Sequence, residues 1–89
     1  MLHLGEAVLV RIDKIIAIIS GEGMRQKDTI NCLRRLQRQG NTIDIAADLG
    51  LMRKAAVLVE QGDKVNIYYS PISPATLIKR ANAGDRFRA

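Results

Sequence analysis

Apolar positions recur along this chain with three different spacings, and each spacing points to a different element. Leu2-His3-Leu4 and Ala7-Val8-Leu9-Val10 read as two short strands folded about a tight Gly5-Glu6 turn, followed by an irregular connection, Arg11 to Lys14. Ile15 to Ile19 is apolar at every position and largely β-branched, which predicts an interior strand covered on both faces. Ser20-Gly21-Glu22-Gly23 then supplies turn chemistry. At 100° per residue, Ile30, Leu33 and Leu36 form a stripe on a helix with Asp28 as N-cap and Gly40 just past its end. Thr42 to Ile45 alternates as a strand with Ile43 and Ile45 inward, and Ala47 to Met52 reads as a loop. Lys54–Glu60 and Lys64–Tyr69 form a hairpin about Gln61-Gly62-Asp63. A strand ending at Ser70-Pro71 hands over to a helix in which Ser73 is the N-cap and Pro74 the first helical residue. That helix is predicted to place Leu77, Ile78 and Ala81 on one side, Lys79 and Arg80 on the other, and to stop at Gly84. The predicted fold is α+β: a single domain over residues 1–84, a small mainly antiparallel sheet with two α-helices, and a flexible tail over residues 85–89.

Size and charge narrow the functional classes. A domain of 89 residues has a thin core, which makes burial of further apolar surface by self-association an expectation. No apolar run approaches the roughly 20 residues of a membrane span, and the first ten residues lack the basic region of a signal peptide. The lone Cys32 cannot form an internal disulfide and has no metal-ligand spacing to the single His3, so a reduced, cytoplasmic setting is expected. The net charge of +5 is uneven: −1 over residues 1–24, +4 over residues 25–40 and +2 over the remainder. A concentrated basic segment suits a polyanion such as nucleic acid.

Catalysis has little to work with. A nucleophile needs a nearby base, and His3 reads as a partly buried strand residue while Cys32 reads as helix core beside Leu36. Asp44 and Asp48 read as solvated acids, and the Ser20–Gly23 segment lacks the lysine of a phosphate loop. No enzyme activity, cofactor, metal or small-molecule substrate is expected. With three aromatic residues, Tyr68, Tyr69 and Phe87, the chain lacks the stacking platform used on single-stranded nucleic acid. Phosphate contacts on duplex DNA need only positioned cations. The densest cations are Arg34, Arg35 and Arg38, on one arc of the first helix with few acids nearby. By composition alone that arc is as readily a solvated helix face.

The run Leu2-His3-Leu4-Gly5, the strand Lys14-Ile15-Ile16-Ala17-Ile18-Ile19, the helix ending at Gly40, the basic pair Arg53-Lys54, and Ser70-Pro71-Ile72-Ser73 followed by Thr76-Leu77 and Lys79-Arg80 together resemble the RemA/RemB family. These are small bacterial regulators of extracellular matrix genes, and the chain looks more like the RemB branch. The resemblance spans roughly Leu2 to Ala81. It implies a ring-like homo-oligomer that binds duplex DNA through basic residues before two strands, at Lys14, Arg53 and Lys54. The chain departs from the family pattern with lysine rather than arginine at 14 and with Met52 where a further arginine is expected. On this reading Arg34, Arg35 and Arg38 are a secondary patch serving long-range attraction or contacts to a neighbouring subunit's Asp44, Asp48 or Glu60. The competing expectation is an oligomeric interaction or structural module without specific DNA binding.

Overall fold

The computed structural model describes residues 1–88. The strands are β1 (Leu2–Gly5), β2 (Val8–Val10), β3 (Ile15–Ser20), β4 (Thr42–Asp44), β5 (Ala55–Gln61) and β6 (Lys64–Ser70). The α-helices are α1 (Lys27–Gln37), α2 (Ile45–Asp48) and α3 (Pro74–Arg88), with 3-10 turns at Ile12–Lys14 and Gly23–Arg25. β1 and β2 form an antiparallel two-stranded sheet. The other four make a mixed sheet in the order β3-β5-β6-β4, antiparallel except for the parallel β4–β6 pair. The α+β class and the mainly antiparallel pairing are as expected.

β5, rather than β3, is the apolar run buried on both faces and flanked on both sides, and β6 beside it is interior to the sheet as well. Ala55, Val57 and Val59 point to one core with Leu2, Leu4, Val10, Ile45 and Leu77. Ala56 and Leu58 point to the other with Leu33, Ile67 and Tyr69. β3 is an edge strand, and its run of isoleucines is broken by a bulge between Ile15 and Ala17. The bulge leaves Ile16 unpaired and 55% exposed, and it allows Ile15 and Ile18 to share one core while Ala17 and Ile19 enter the other. An apolar run reports covered faces and says nothing about the strand's lateral position.

Other boundaries moved for local reasons. α1 begins at Lys27 after an N-cap, Gln26, whose side chain makes no capping bond. Asp28 lies inside the first turn, where its charge complements the helix dipole. β4 ends at Asp44 because Asp44 caps α2: its Oδ1 accepts from Ala47 N at 3.0 Å, turning the expected loop into a helical turn and moving Ile45 into it. Ser73 caps α3 as expected, accepting from Thr76 N at 3.3 Å. α3 buries Leu77 but leaves Ile78 exposed, because it packs through a narrower stripe against β1 and β3. It also continues through Gly84 to Arg88, a lone interior glycine costing only about 1 kcal/mol, so residues 85–88 of the expected tail are helical. Ala89 lies outside the described residues. His3, expected partly buried, and Cys32, expected in the helix core, are both exposed. His3 alternates outward from Leu2 and Leu4, and Cys32 falls outside the stripe that α1 buries through Leu33.

Ser70 joins the two sheets. Its fully buried hydroxyl donates to the Leu4 carbonyl at 2.6 Å and accepts from Ile72 N at 3.1 Å, fixing the chain as it turns into α3. Ser70→Ala leaves both backbone groups without that partner and is expected to cost about 1–3 kcal/mol, measured as a lower urea midpoint at unchanged m-value.

Candidate functional site

Of the basic residues singled out in the sequence, the fold brings Arg34 and Arg53 together and sends Lys14 elsewhere. β3 and β5 run antiparallel, with Ile15 opposite Val59 and Ser20 opposite Ala55. Lys14 precedes β3 and Arg53-Lys54 precede β5, so the two sites lie at opposite ends of the pair, roughly 17 Å apart along the strands. Both sit at strand entrances, and antiparallel pairing is what separates strand entrances.

Arg53 is the most elaborately held cation. Its Nε donates to Asp44 Oδ2 at 2.8 Å, its Nη2 also donates to that oxygen, and its guanidinium lies over the Tyr69 ring, 4.0 Å from the centroid. Tyr69 is buried and its hydroxyl accepts from Gln37 Nε2 at 3.1 Å, which ties α1 to the arrangement. Asp44 thus engages Arg53 of its own chain. The same carboxylate caps α2, so one residue orients both a helix and a guanidinium.

Arg53 stands on a groove of about 350 Å³ between α1 and the sheet. Met24, Ile30, Leu33 and Tyr69 form its apolar lining, and Arg25, Arg34 and Arg53 supply cations, with no carboxylate among the lining residues. Ile30, Leu33, Arg34 and Gln37 face it because they recur at three- and four-residue spacing along α1. Arg35 and Arg38 are exposed and do not line the groove, so the arginine arc of the helix is divided. Arg25, Gln37 and Tyr69 were not anticipated as site residues. The signal for Arg25 lay in its place at the head of the most basic segment, while nothing local linked Tyr69 to Arg53.

The other end carries less charge. Lys14 lines a shallower depression with Arg11, Glu60 and Tyr68. Arg11 Nη2 donates to Asp13 at 2.8 Å, and this hydrogen bond is the chief reason that the Asp13 carboxyl titrates below its ordinary range. The negative charge of Asp13 offsets part of the positive field beside Lys14. Lys54 is exposed, and its backbone N–H donates to the Ser70 carbonyl at 2.9 Å.

Compared with protein families, residues 1–81 match the model of the RemA-like family, described as extracellular matrix regulatory protein A-like. The chain belongs to the RemA-like family. The match covers nearly the whole domain, including the groove, Lys14 and the α2–β5 loop that carries Arg53, and it does not divide the family into RemA and RemB branches. No curated protein and no solved structure matches the chain. Among the described residues, no helix of this RemA-like chain is long and apolar enough to cross a membrane.

Proposed function

We propose that this RemA-like protein is a non-enzymatic, oligomeric transcriptional regulator that binds duplex DNA, with Arg53 and Lys54 as the principal contacts, Arg34 and Arg25 beside them, and Lys14 as a separate contact at the far end of the sheet. The observation that carries the reading is the cluster of Arg25, Arg34 and Arg53 around one groove that has no acidic lining residue. Arg53 is pre-oriented by Asp44 and Tyr69, which lowers the entropy lost when its remaining N–H groups meet a phosphate.

A ring assembly suits this surface. Each protomer offers a few cations, and repetition around a closed oligomer converts weak sites into useful affinity. The free edge of β3, with Ile16 exposed on it, and the exposed Leu49, Leu51 and Met52 near Arg53 are apolar surfaces at distinct places, as a head-to-tail contact requires. A second reading, an interaction module without specific DNA binding, is favoured by Met52, which is 80% exposed immediately before Arg53 and offers nothing to a phosphate.

A fluorescence-anisotropy titration of duplex DNA across a salt series separates the two. The DNA reading expects the logarithm of affinity to fall linearly with the logarithm of salt, by about 0.9 per phosphate neutralised, with several phosphates engaged per assembly. Light scattering on the same sample should return a multiple of the 9.8 kDa protomer mass. No duplex binding at low salt would remove the regulator reading, and a monomer mass would remove the ring.

A further inference from the structure

We propose that the groove between α1 and the sheet is a binding site for a small nucleotide, a nucleoside monophosphate in size and class, held by its phosphate at Arg34 and Arg53 and by its base on the apolar floor. Phosphate contact to a duplex needs cations on an open surface and makes no use of a recess. Here the recess has a volume at the lower end of the range for small-molecule sites, about 300–1,000 Å³, and Met24, Ile30 and Leu33 line it together with the arginines. An inorganic anion would leave the half-buried Met24 and Ile30 uncovered. A ligand that is anionic at one end and flat and apolar at the other satisfies both parts.

The polar groups in the groove narrow the class further. Gln37 donates from Nε2 to the Tyr69 hydroxyl, which leaves the Gln37 carbonyl oxygen as an acceptor and the Tyr69 O–H proton as a donor, side by side. A neighbouring donor and acceptor on an apolar wall matches the edge of a nucleobase, which presents the complementary pair in its plane. Arg53 is already braced against Tyr69 and Asp44, so its guanidinium is in place before a phosphate arrives. Because Arg34 and Arg53 serve both ligands, a bound nucleotide excludes duplex DNA from this part of the surface; that exclusion alone rests on the DNA reading above.

Isothermal titration of the full chain with AMP, GMP, CMP and UMP, alongside inorganic phosphate and adenosine, tests the site without any DNA present. The expected result is saturable binding of at least one monophosphate, about tenfold or more tighter than either phosphate or adenosine. Arg34→Ala, an exposed helix position, should weaken that binding about tenfold with an unchanged melting temperature. Gln37→Leu should weaken the nucleotide and leave the affinity for phosphate unmoved. Phosphate binding as tightly as every nucleotide would overturn the proposal, leaving a bare anion patch. So would the absence of any nucleotide binding up to about 1 mM, or an Arg34→Ala protein that binds as the parent does. A protein that binds nucleotide but no duplex would uphold this site while removing the DNA reading.

Discussion

Replacing Gly40 with alanine is expected to cost about 3 kcal/mol and to lower the melting temperature by roughly 12–24 °C. A Cβ built on Gly40 would stand 2.0 Å from the Val65 carbonyl oxygen and 2.9 Å from its carbon. Both are backbone atoms of β6, held by pairing to β5 through Glu60 opposite Val65, so neither can swing aside as a side chain would. The sequence suggests Gly40 as a helix terminator, and it does lie in the turn that closes α1, its N–H donating to the Leu36 carbonyl at 3.0 Å. Its requirement is nonetheless steric: it lets the chain leaving α1 pass against β6 before Asn41, whose N–H donates to Asn66 Oδ1 at 3.1 Å. Gly21→Ala is the control, since its Cβ would meet nothing closer than 3.8 Å, and it should shift melting by no more than a few degrees. A Gly40→Ala protein melting within about 3 °C of the parent, less than 1 kcal/mol on this scale, would show that the strand yields.

The second large effect concerns charge at the groove. On the proposed reading of a DNA-binding oligomer, Arg53→Glu is expected to weaken duplex binding by about 100-fold or more at low salt, since reversal replaces an attraction with a repulsion at every protomer. Arg34→Glu should follow it closely, because the two residues line one groove, whereas Arg38→Glu and Arg35→Glu should cost far less. Lys14→Glu should reduce affinity independently, and its effect should add to that of Arg53→Glu, given their separation along the sheet. Asp44→Asn should act in the opposite direction. Asparagine can still cap α2 through its carbonyl oxygen, while the charge that neutralises Arg53 is gone. Affinity should therefore rise several-fold and the salt slope should steepen by about one ion per engaged protomer. If Asp44→Asn weakens binding instead, its main role is to aim the guanidinium. If Arg38→Glu proves more damaging than Arg53→Glu, the DNA lies along the outer face of α1 and the assignment of Arg53 fails.

Much of the local structure was legible in the residues themselves. The strand limits of β5 and β6, the capping of α3 by Ser73 and Pro74, and the Ile30–Leu33–Leu36 stripe follow from period, cap chemistry and turn residues, all of which act over a few positions. The family was legible too, because its motifs are spread across the chain from Leu2 to Arg80. What local pattern could not convey was lateral order. The isoleucine run of β3 and the equally long, less hydrophobic apolar stretch of β5 both read as buried strands, and only the pairing of β5 with both β3 and β6 makes it central. The site depended on the same long-range decision. Arg34, Arg53 and Tyr69 are separated by 19 and 16 positions in the chain, and Asp44 reaches Arg53 only because β4 pairs in parallel with β6, setting Asp44 beside Tyr69. Residue types and helical spacing determined that cations would be presented. The tertiary structure decided which of them share a groove, because strand pairing, a non-local hydrogen-bonding choice, sets which ends of the chain's elements meet.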